Sequence, residues 1–106
     1  MTRRLLTDFE IMILLAILRI GDEAYGVPVA REIEATTGRI VQLPAIYAAL
    51  DRLEGQGLVE SRIGEATAQR GGRAKKYFSL TPTGVESVRD TRRALTALWA
   101  RLPQLT

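Results

Sequence analysis

Residues 43–80 decide the fold, and they read LPAIYAALDRLEGQGLVESRIGEATAQRGGRAKKYFSL. Near the start of this stretch, apolar residues recur at the spacing of one helical face, at Ile46, Leu50 and Leu53. Pro44 favours a helix start, because the N–H that proline lacks has no partner in a first helical turn. The pattern predicts a helix over residues 44–56, ending before Gly57.

Two short segments with the composition of β-strands follow this helix. They are residues 58–63 (LVESRI) and residues 75–80 (KKYFSL), where aromatic and β-branched residues favour strands. The connection between them, residues 64–74, contains three glycines and two arginines. We therefore predict a β-hairpin with a long, positively charged tip.

The first helix of the chain is unusually apolar. Thr7 and Glu10 have the spacing of a capping box, which predicts a helix running to about Arg19. Between Phe9 and Ile20 the only charged residues are Glu10 and Arg19. A surface helix has one apolar stripe, and this helix has more than one stripe. A domain of this size has little interior to cover it, so we predict that another subunit covers one of its faces.

A second helix is predicted between the first helix and the helix over residues 44–56. It follows Tyr25-Gly26, has Pro28 in its first turn and ends at Gly38. The gap before the third helix, residues 38–43, is short.

The last helix carries a heptad pattern. Thr81-Pro82 predicts its start, and we expect about 20 residues, reaching Arg101. Heptad spacing is typical of a short coiled-coil seam. The residues of this seam are Val88, Leu95 and Leu102, with Leu98 and Trp99 beside them. We therefore predict an N-terminal domain over residues 1–80, with a C-terminal dimerisation helix over residues 81–106 packed on it.

Composition excludes several kinds of chemistry. The chain has 106 residues, enough for one small core, and contains no histidine and no cysteine. Imidazole bases, thiolate nucleophiles, disulfides and the usual zinc sites are therefore excluded. The apolar run over residues 11–18 is far shorter than the ~20 residues that span a bilayer. We expect a cytoplasmic protein with no membrane segment, no metal and no cofactor.

The positive charge is concentrated in the hairpin. Residues 62–76 contain five basic residues and one acid, a net charge of +4, whereas the rest of the chain has a net charge of −1. By charge alone, this stretch is either an ordinary solvated loop or a footprint of phosphate binding.

Three helices followed by a two-stranded hairpin form the plan of a winged helix-turn-helix, an α+β, mainly α fold. The major groove of DNA is about 12 Å wide and admits one helix, here the third. The hairpin, or wing, is expected to reach phosphates or the minor groove. The candidate DNA-binding residues are Pro44, Ala45, Tyr47, Ala48, Arg52, Arg70, Gly72, Arg73, Lys75 and Lys76.

Some of these candidates have a second interpretation. Tyr47 lies on the flank of the third helix and is either a partly buried aromatic residue or a contact to phosphate or a base edge. Arg52 either pairs with an acid on its own helix or reaches DNA. Strand alternation puts Lys75 and Lys76 on opposite faces, so one of them can serve only to solvate the sheet.

From Leu6 to about Leu102, the chain resembles the PadR-like family of bacterial transcriptional regulators. The segments that carry the resemblance are LTDFE (6–10), Tyr25-Gly26, IYAALDRLE (46–54), GLV (57–59), GGRAKKYF (71–78) and LTPTG (80–84). Many members have a proline after the tyrosine of the third helix, where this chain has Ala48. The short last helix resembles the compact branch of the family.

The resemblance implies a homodimeric DNA-binding repressor that recognises an inverted-repeat operator. Its dimers pair through the C-terminal helix, with the first helix contributing. The residues expected at that interface are Phe9, Met12, Val88, Leu95, Leu98, Trp99 and Leu102. Ligand-responsive members bind flat aromatic or drug-like effectors near the interface, so Trp99 either packs in the dimer seam or stacks on such an effector.

Three other functions fit the sequence less well. A winged helix can be a protein-interaction module that binds no DNA, but the charge of the wing argues against this. An enzyme is disfavoured because the chain has no P-loop, GxGxxG or GxSxG segment. RNA binding is disfavoured because exposed aromatic residues for base stacking are lacking.

Overall fold

The computed structural model describes residues 5–64 and 75–105. These ranges form the α+β, mainly α architecture of a winged helix-turn-helix, as predicted. The elements, in chain order, are α1 (Asp8–Ile20), α2 (Gly26–Thr37), α3 (Leu43–Gly55), β1 (Val59–Ile63), β2 (Lys76–Leu80) and α4 (Pro82–Trp99). A 3₁₀ turn, Pro103–Leu105, follows α4. Within the described ranges, no helix is long and apolar enough to cross a membrane.

Local signals set the ends of α1 and α2. The Glu10 N–H donates to Thr7 Oγ1 (3.2 Å), and the Thr7 N–H donates to Glu10 Oε1 (2.8 Å), so the predicted capping box is confirmed. Gly38 ends α2 at a φ of +80°, a left-handed conformation that glycine adopts without strain.

The core lies between the three N-terminal helices and the hairpin. The predicted inward face of α3 is confirmed, because Ile46, Leu50 and Leu53 are fully buried. Ala49 is buried beside them, although the sequence analysis did not name it. Phe78 of β2 closes the core from the hairpin side.

β1 and β2 form an antiparallel hairpin, as predicted, with a register from Val59 opposite Leu80 to Ile63 opposite Lys76. Both strands begin one residue later than predicted. The Phe78 N–H donates to the Ala24 carbonyl oxygen (2.8 Å), so the α1–α2 loop is hydrogen-bonded to β2.

The start of α4 is anchored to the loop before β1. Thr81 caps the helix by accepting from the Gly84 N–H (3.0 Å), while its own hydroxyl donates to the Gly57 carbonyl oxygen (2.6 Å). Val88, in the second turn of α4, is buried in the core of its own chain. Thr91 is also buried, and its Oγ1 accepts from the Leu6 N–H (3.1 Å).

The predicted end of the last helix was wrong. α4 ends at Trp99, because Ala100 has an extended backbone and Arg101 has a φ of +62°. Leu102 therefore lies beyond the helix, and the heptad spacing applies on α4 only to Val88 and Leu95.

Candidate nucleic-acid interface

α3 has an exposed face opposite its buried one. The first two turns of this face are small or apolar, and charged residues follow at Asp51 and Arg52. The five DNA-binding candidates on α3 are all exposed: Pro44, Ala45, Tyr47, Ala48 and Arg52. This face of α3 is therefore accessible to a partner.

Tyr47 is both anchored and accessible. A Cβ added at Gly26 would lie 2.5 Å from the Tyr47 hydroxyl oxygen and 2.7 Å from Cε1, so the ring packs directly on the bare glycine backbone. Tyr47 nevertheless remains 43% exposed. The glycine that begins α2 therefore makes room for the aromatic side chain of α3.

Arg52 is exposed in the last turn of α3. In residues 5–64 and 75–105, no acid forms an ion pair with Arg52, so the predicted alternative of pairing along its own helix is not seen there. By contrast, Arg39 in the α2–α3 turn is bound to the start of α1. Its guanidinium lies 5.1 Å from the Phe9 ring centroid and 3.3 Å from Asp8 Oδ2.

The wing base, residues 62–64 and 75–77, carries two cations on its α1–α2 side. Lys75 Nζ donates to the Tyr25 hydroxyl (3.1 Å) and lies 4.5 Å from the centroid of that ring. Arg62 stacks 4.7 Å from the Tyr77 ring centroid and donates to the carbonyl oxygen of residue 22 (2.9 Å). The Tyr25 and Tyr77 rings meet edge to face at 5.8 Å.

The second lysine of the wing base contacts a different element. Lys76 Nζ lies 3.3 Å from Glu54 Oε1, and the Ser61 hydroxyl donates to Glu54 Oε2 (2.5 Å). The Ser61 hydrogen bond is the main cause of the lowered pKa of Glu54, and Lys76 lowers it further. Lys76 therefore has an acidic counter-ion, whereas the partner of Lys75 is a neutral hydroxyl.

The predicted wing-tip contacts Arg70, Gly72 and Arg73 lie outside the described residues. The roles of the other candidate residues in DNA binding stay predictions.

Five of the seven predicted dimer residues contribute to an apolar surface on α1 and α4. The other two do not, because Val88 is buried in the core of its own chain and Leu102 lies beyond α4. Leu98 is 72% and Trp99 is 59% exposed, and Leu95 is exposed beside them. Phe9 and Met12 on α1 are half-buried. This surface also includes two exposed α1 residues that the sequence analysis did not name, Leu15 and Leu18. A groove of about 470 Å³ runs between α1 and α4, and Leu15 and Trp99 are among the residues that line it.

A sequence profile of the transcriptional regulator PadR-like family matches residues 14–90. The chain belongs to the PadR-like family. The family resemblance stated from the sequence is therefore confirmed. A search of curated proteins found no match.

Solved PadR-like structures have the same fold. A PadR-like regulator from Bacillus cereus is 23% identical, with a TM-score of 0.71 over 92% of this chain and 89% of that one. A PadR family regulator from Clostridium difficile is 22% identical, with a TM-score of 0.71 over 92% and 97% of the two chains. Bacillus subtilis PadR, solved in complex with operator DNA, is 25% identical, with a TM-score of 0.65 over 78% of this chain and 45% of that one.

The residues that fix the wing base of this PadR-like chain were not predicted from the sequence. Tyr25 was noted only as part of a family motif, and Arg62 only as part of a charge count. Glu54 was noted only within the α3 motif. Their contacts join residues from 7 to 50 positions apart, so no local pattern could reveal them. The one available signal was the Tyr25-Gly26 motif.

Proposed function

We propose that this chain is a homodimeric, sequence-specific DNA-binding repressor of the cytoplasm, and not an enzyme. Each subunit inserts α3 into a major groove, and its wing contacts phosphates. The two helices of a dimer would enter successive grooves of an inverted repeat, with half-sites about one helical turn apart.

The observation that carries this proposal is a chain of contacts that connects a cation of the wing base to the exposed Tyr47 of α3. Lys75 contacts Tyr25, the next residue is Gly26, and Tyr47 of α3 packs on Gly26. A helix that offers an uncharged surface to the groove, flanked by a cation for the backbone, suits a DNA duplex. The operator complex of Bacillus subtilis PadR supports this reading by family relationship.

Selection of bound sequences from a random pool of DNA duplexes tests the proposal directly. We expect the purified protein to recover inverted repeats. If the protein is not retained on any duplex at near-physiological salt, the proposal is refuted and a protein-interaction module is favoured instead.

The salt dependence of binding tests the role of the wing. Each phosphate contact contributes about −0.9 to the slope of log affinity against log salt concentration. Replacing Arg70 and Arg73 by alanine removes two phosphate contacts from each subunit of the dimer, so it is expected to lower affinity for all sequences and to flatten the slope by about 3.6. Arg101→Ala, beyond α4, is the control and should leave the slope unchanged. An unaltered slope in the double variant would remove the wing tip from the interface.

The proposed dimer explains the apolar surface of α1 and α4. Exposed patches of this kind mark interaction sites on small domains. We expect light scattering to give the mass of a dimer, and Leu98→Glu to shift it towards the monomer and to weaken operator binding. A monomeric wild-type protein that still binds an inverted repeat tightly would contradict the dimer.

Release by an effector and repression itself have their own tests. The groove between α1 and α4 is the proposed site for a flat aromatic ligand, with Trp99 stacking on it. Titration with such compounds should quench Trp99 fluorescence and lower operator affinity; if neither changes, the ligand site is discarded. For repression, an operator placed across a promoter should reduce transcript yield in vitro when the protein is added.

A further inference from the structure

The α1–α2 loop holds the wing base at three points. Two of the hydrogen bonds, from Arg62 and from the Phe78 N–H, end on backbone carbonyl oxygens of residues 22 and 24. The third, from Lys75, ends on the side chain of Tyr25. Because only the third depends on a side-chain acceptor, the residue at position 25 decides whether the lysine is held.

Tyr25 constrains Lys75 in two ways at once. Its hydroxyl accepts from Nζ at 3.1 Å, and its ring centroid lies 4.5 Å from Nζ. The ring is itself braced edge-on by Tyr77, at 5.8 Å. A lysine side chain has many rotamers in solution, and holding it beforehand reduces the ordering cost of a later contact.

The held ammonium group can still bind an anion. It has three N–H donors, and the Tyr25 hydroxyl takes one of them. In the part of the chain that the structure describes, no acid pairs with Lys75. Its neighbour Lys76 differs in this respect, because Glu54 compensates its charge.

We propose that Tyr25 is a positioning residue for DNA binding. It fixes the Lys75 ammonium group at the wing base, and that group meets a backbone phosphate when α3 enters the groove. The proposal rests on the proposed DNA-binding function. Tyr25 acts through its contact with Lys75, and the next residue, Gly26, contacts Tyr47 of α3. Tyr25 therefore sets the distance between the phosphate contact of Lys75 and α3.

Four proteins form the test: wild type, Tyr25→Phe, Lys75→Met and the double variant. Phenylalanine keeps the ring, its edge contact and its attraction for the cation, and it removes only the hydroxyl. Affinity is measured by fluorescence anisotropy over a range of salt concentrations, on the selected operator and on a scrambled duplex. Thermal unfolding of every variant is recorded alongside.

Positioning and contact have different signatures in this experiment. Tyr25→Phe should lower affinity about 2- to 10-fold on both duplexes and leave the salt slope unchanged, because the charge is retained. Lys75→Met removes one phosphate contact from each subunit of the dimer and should flatten the slope by about 1.8. In the double variant the tyrosine effect should vanish, because the residue acts only through Lys75.

The matched control is Lys76→Met, which removes the compensated lysine. The effects of Tyr25→Phe and Lys76→Met should simply multiply, since Lys76 does not contact Tyr25. The proposal is overturned if Tyr25→Phe leaves affinity unchanged, or if it weakens binding equally when Lys75 is methionine. The second result assigns Tyr25 a purely structural role. Failure of the proposed function would look different, because wild type would then bind neither duplex.

Discussion

Replacing Gly84 by alanine should destabilise the fold through one defined clash. A Cβ at this position would overlap the Leu58 carbonyl oxygen and lie 3.0 Å from the Leu58 carbonyl carbon. That oxygen also accepts from the Thr81 N–H (3.1 Å), which holds it at the start of α4. Because the obstacle is backbone and not the end of a flexible side chain, the helix itself must shift.

The size of the effect follows from two opposing contributions. Overpacking costs about 1–3 kcal/mol, and a rigid backbone obstacle places this site near the upper limit. Alanine is favoured over glycine within a helix by about 0.5–1 kcal/mol. The net loss in free energy of unfolding is therefore about 2 kcal/mol. For a domain of this size, 1 kcal/mol corresponds to about 4–8 °C in Tm, so we expect Tm to fall by about 8–16 °C.

The assay is thermal unfolding followed by far-ultraviolet circular dichroism at one fixed protein concentration, since association changes apparent stability. Gly55→Ala in α3 is the matched control. A Cβ there meets nothing within 4 Å, so this variant should gain about 0.5–1 kcal/mol. A Gly84→Ala protein as stable as wild type would refute the argument that α4 docks through this contact.

Three further predictions concern the candidate interface. Gly26→Ala would displace the Tyr47 ring, so the operator-binding constant should fall by a larger factor than the equilibrium constant for folding. If both constants, measured on the same samples, fell by the same factor, this prediction would be contradicted. Ser61→Ala should raise the pKa of Glu54 towards 4.5, measured by carboxyl titration in nuclear magnetic resonance, and an unchanged pKa would rule out the hydroxyl as its cause. The pKa of Glu54 is lower in the folded state than in the unfolded state. Its contribution to stability is therefore present above the unfolded-state pKa and is lost as the pH falls through the folded-state pKa. Wild type and Ser61→Ala should accordingly converge in stability at acid pH. Arg52→Gln should flatten the salt slope of operator binding by about 1.8 for the dimer if the residue meets a phosphate, and an unchanged slope would exclude that contact.

Features with a local cause could be predicted from the sequence. The capping box of Thr7 and Glu10 and the left-handed Gly38 each act within a few residues, and both lie where the pattern puts them. The inward face of α3 follows from helical periodicity alone. These elements need no knowledge of what packs against them, because the chain specifies them within one or two turns.

The heptad pattern and a nearby proline make different predictions for the end of α4. The seven-residue spacing of Val88, Leu95 and Leu102 favoured a helix through Arg101. Pro103 opposed only the extension of the seam to Leu102, because the residue before a proline is disfavoured in the helical conformation. The chain leaves the helix at Ala100, two residues before the one that Pro103 restricts. Heptad spacing should therefore be tested against the next proline before a seam is extended.

The wing base could not be predicted, because its contacts are non-local and cross between elements. Strand alternation correctly separates Lys75 from Lys76, but it does not say which lysine meets an acid. That depends on the end of α3, where Glu54 faces Ser61 and Lys76. The two lysines are adjacent residues of the same type and charge, and only the fold distinguishes them.

This distinction changes the meaning of the +4 charge counted over residues 62–76. Lys76 is compensated by Glu54, which lies outside that stretch, so the count overstates the free charge. Arg62 and Lys75 are instead held by neutral acceptors, a carbonyl oxygen and a hydroxyl, which fix their positions and leave their charges intact. An exposed ion pair contributes little to stability and cancels the field that an anion would feel. A cation held by neutral oxygens keeps its electrostatic field and is fixed in position. Binding a phosphate backbone requires this arrangement.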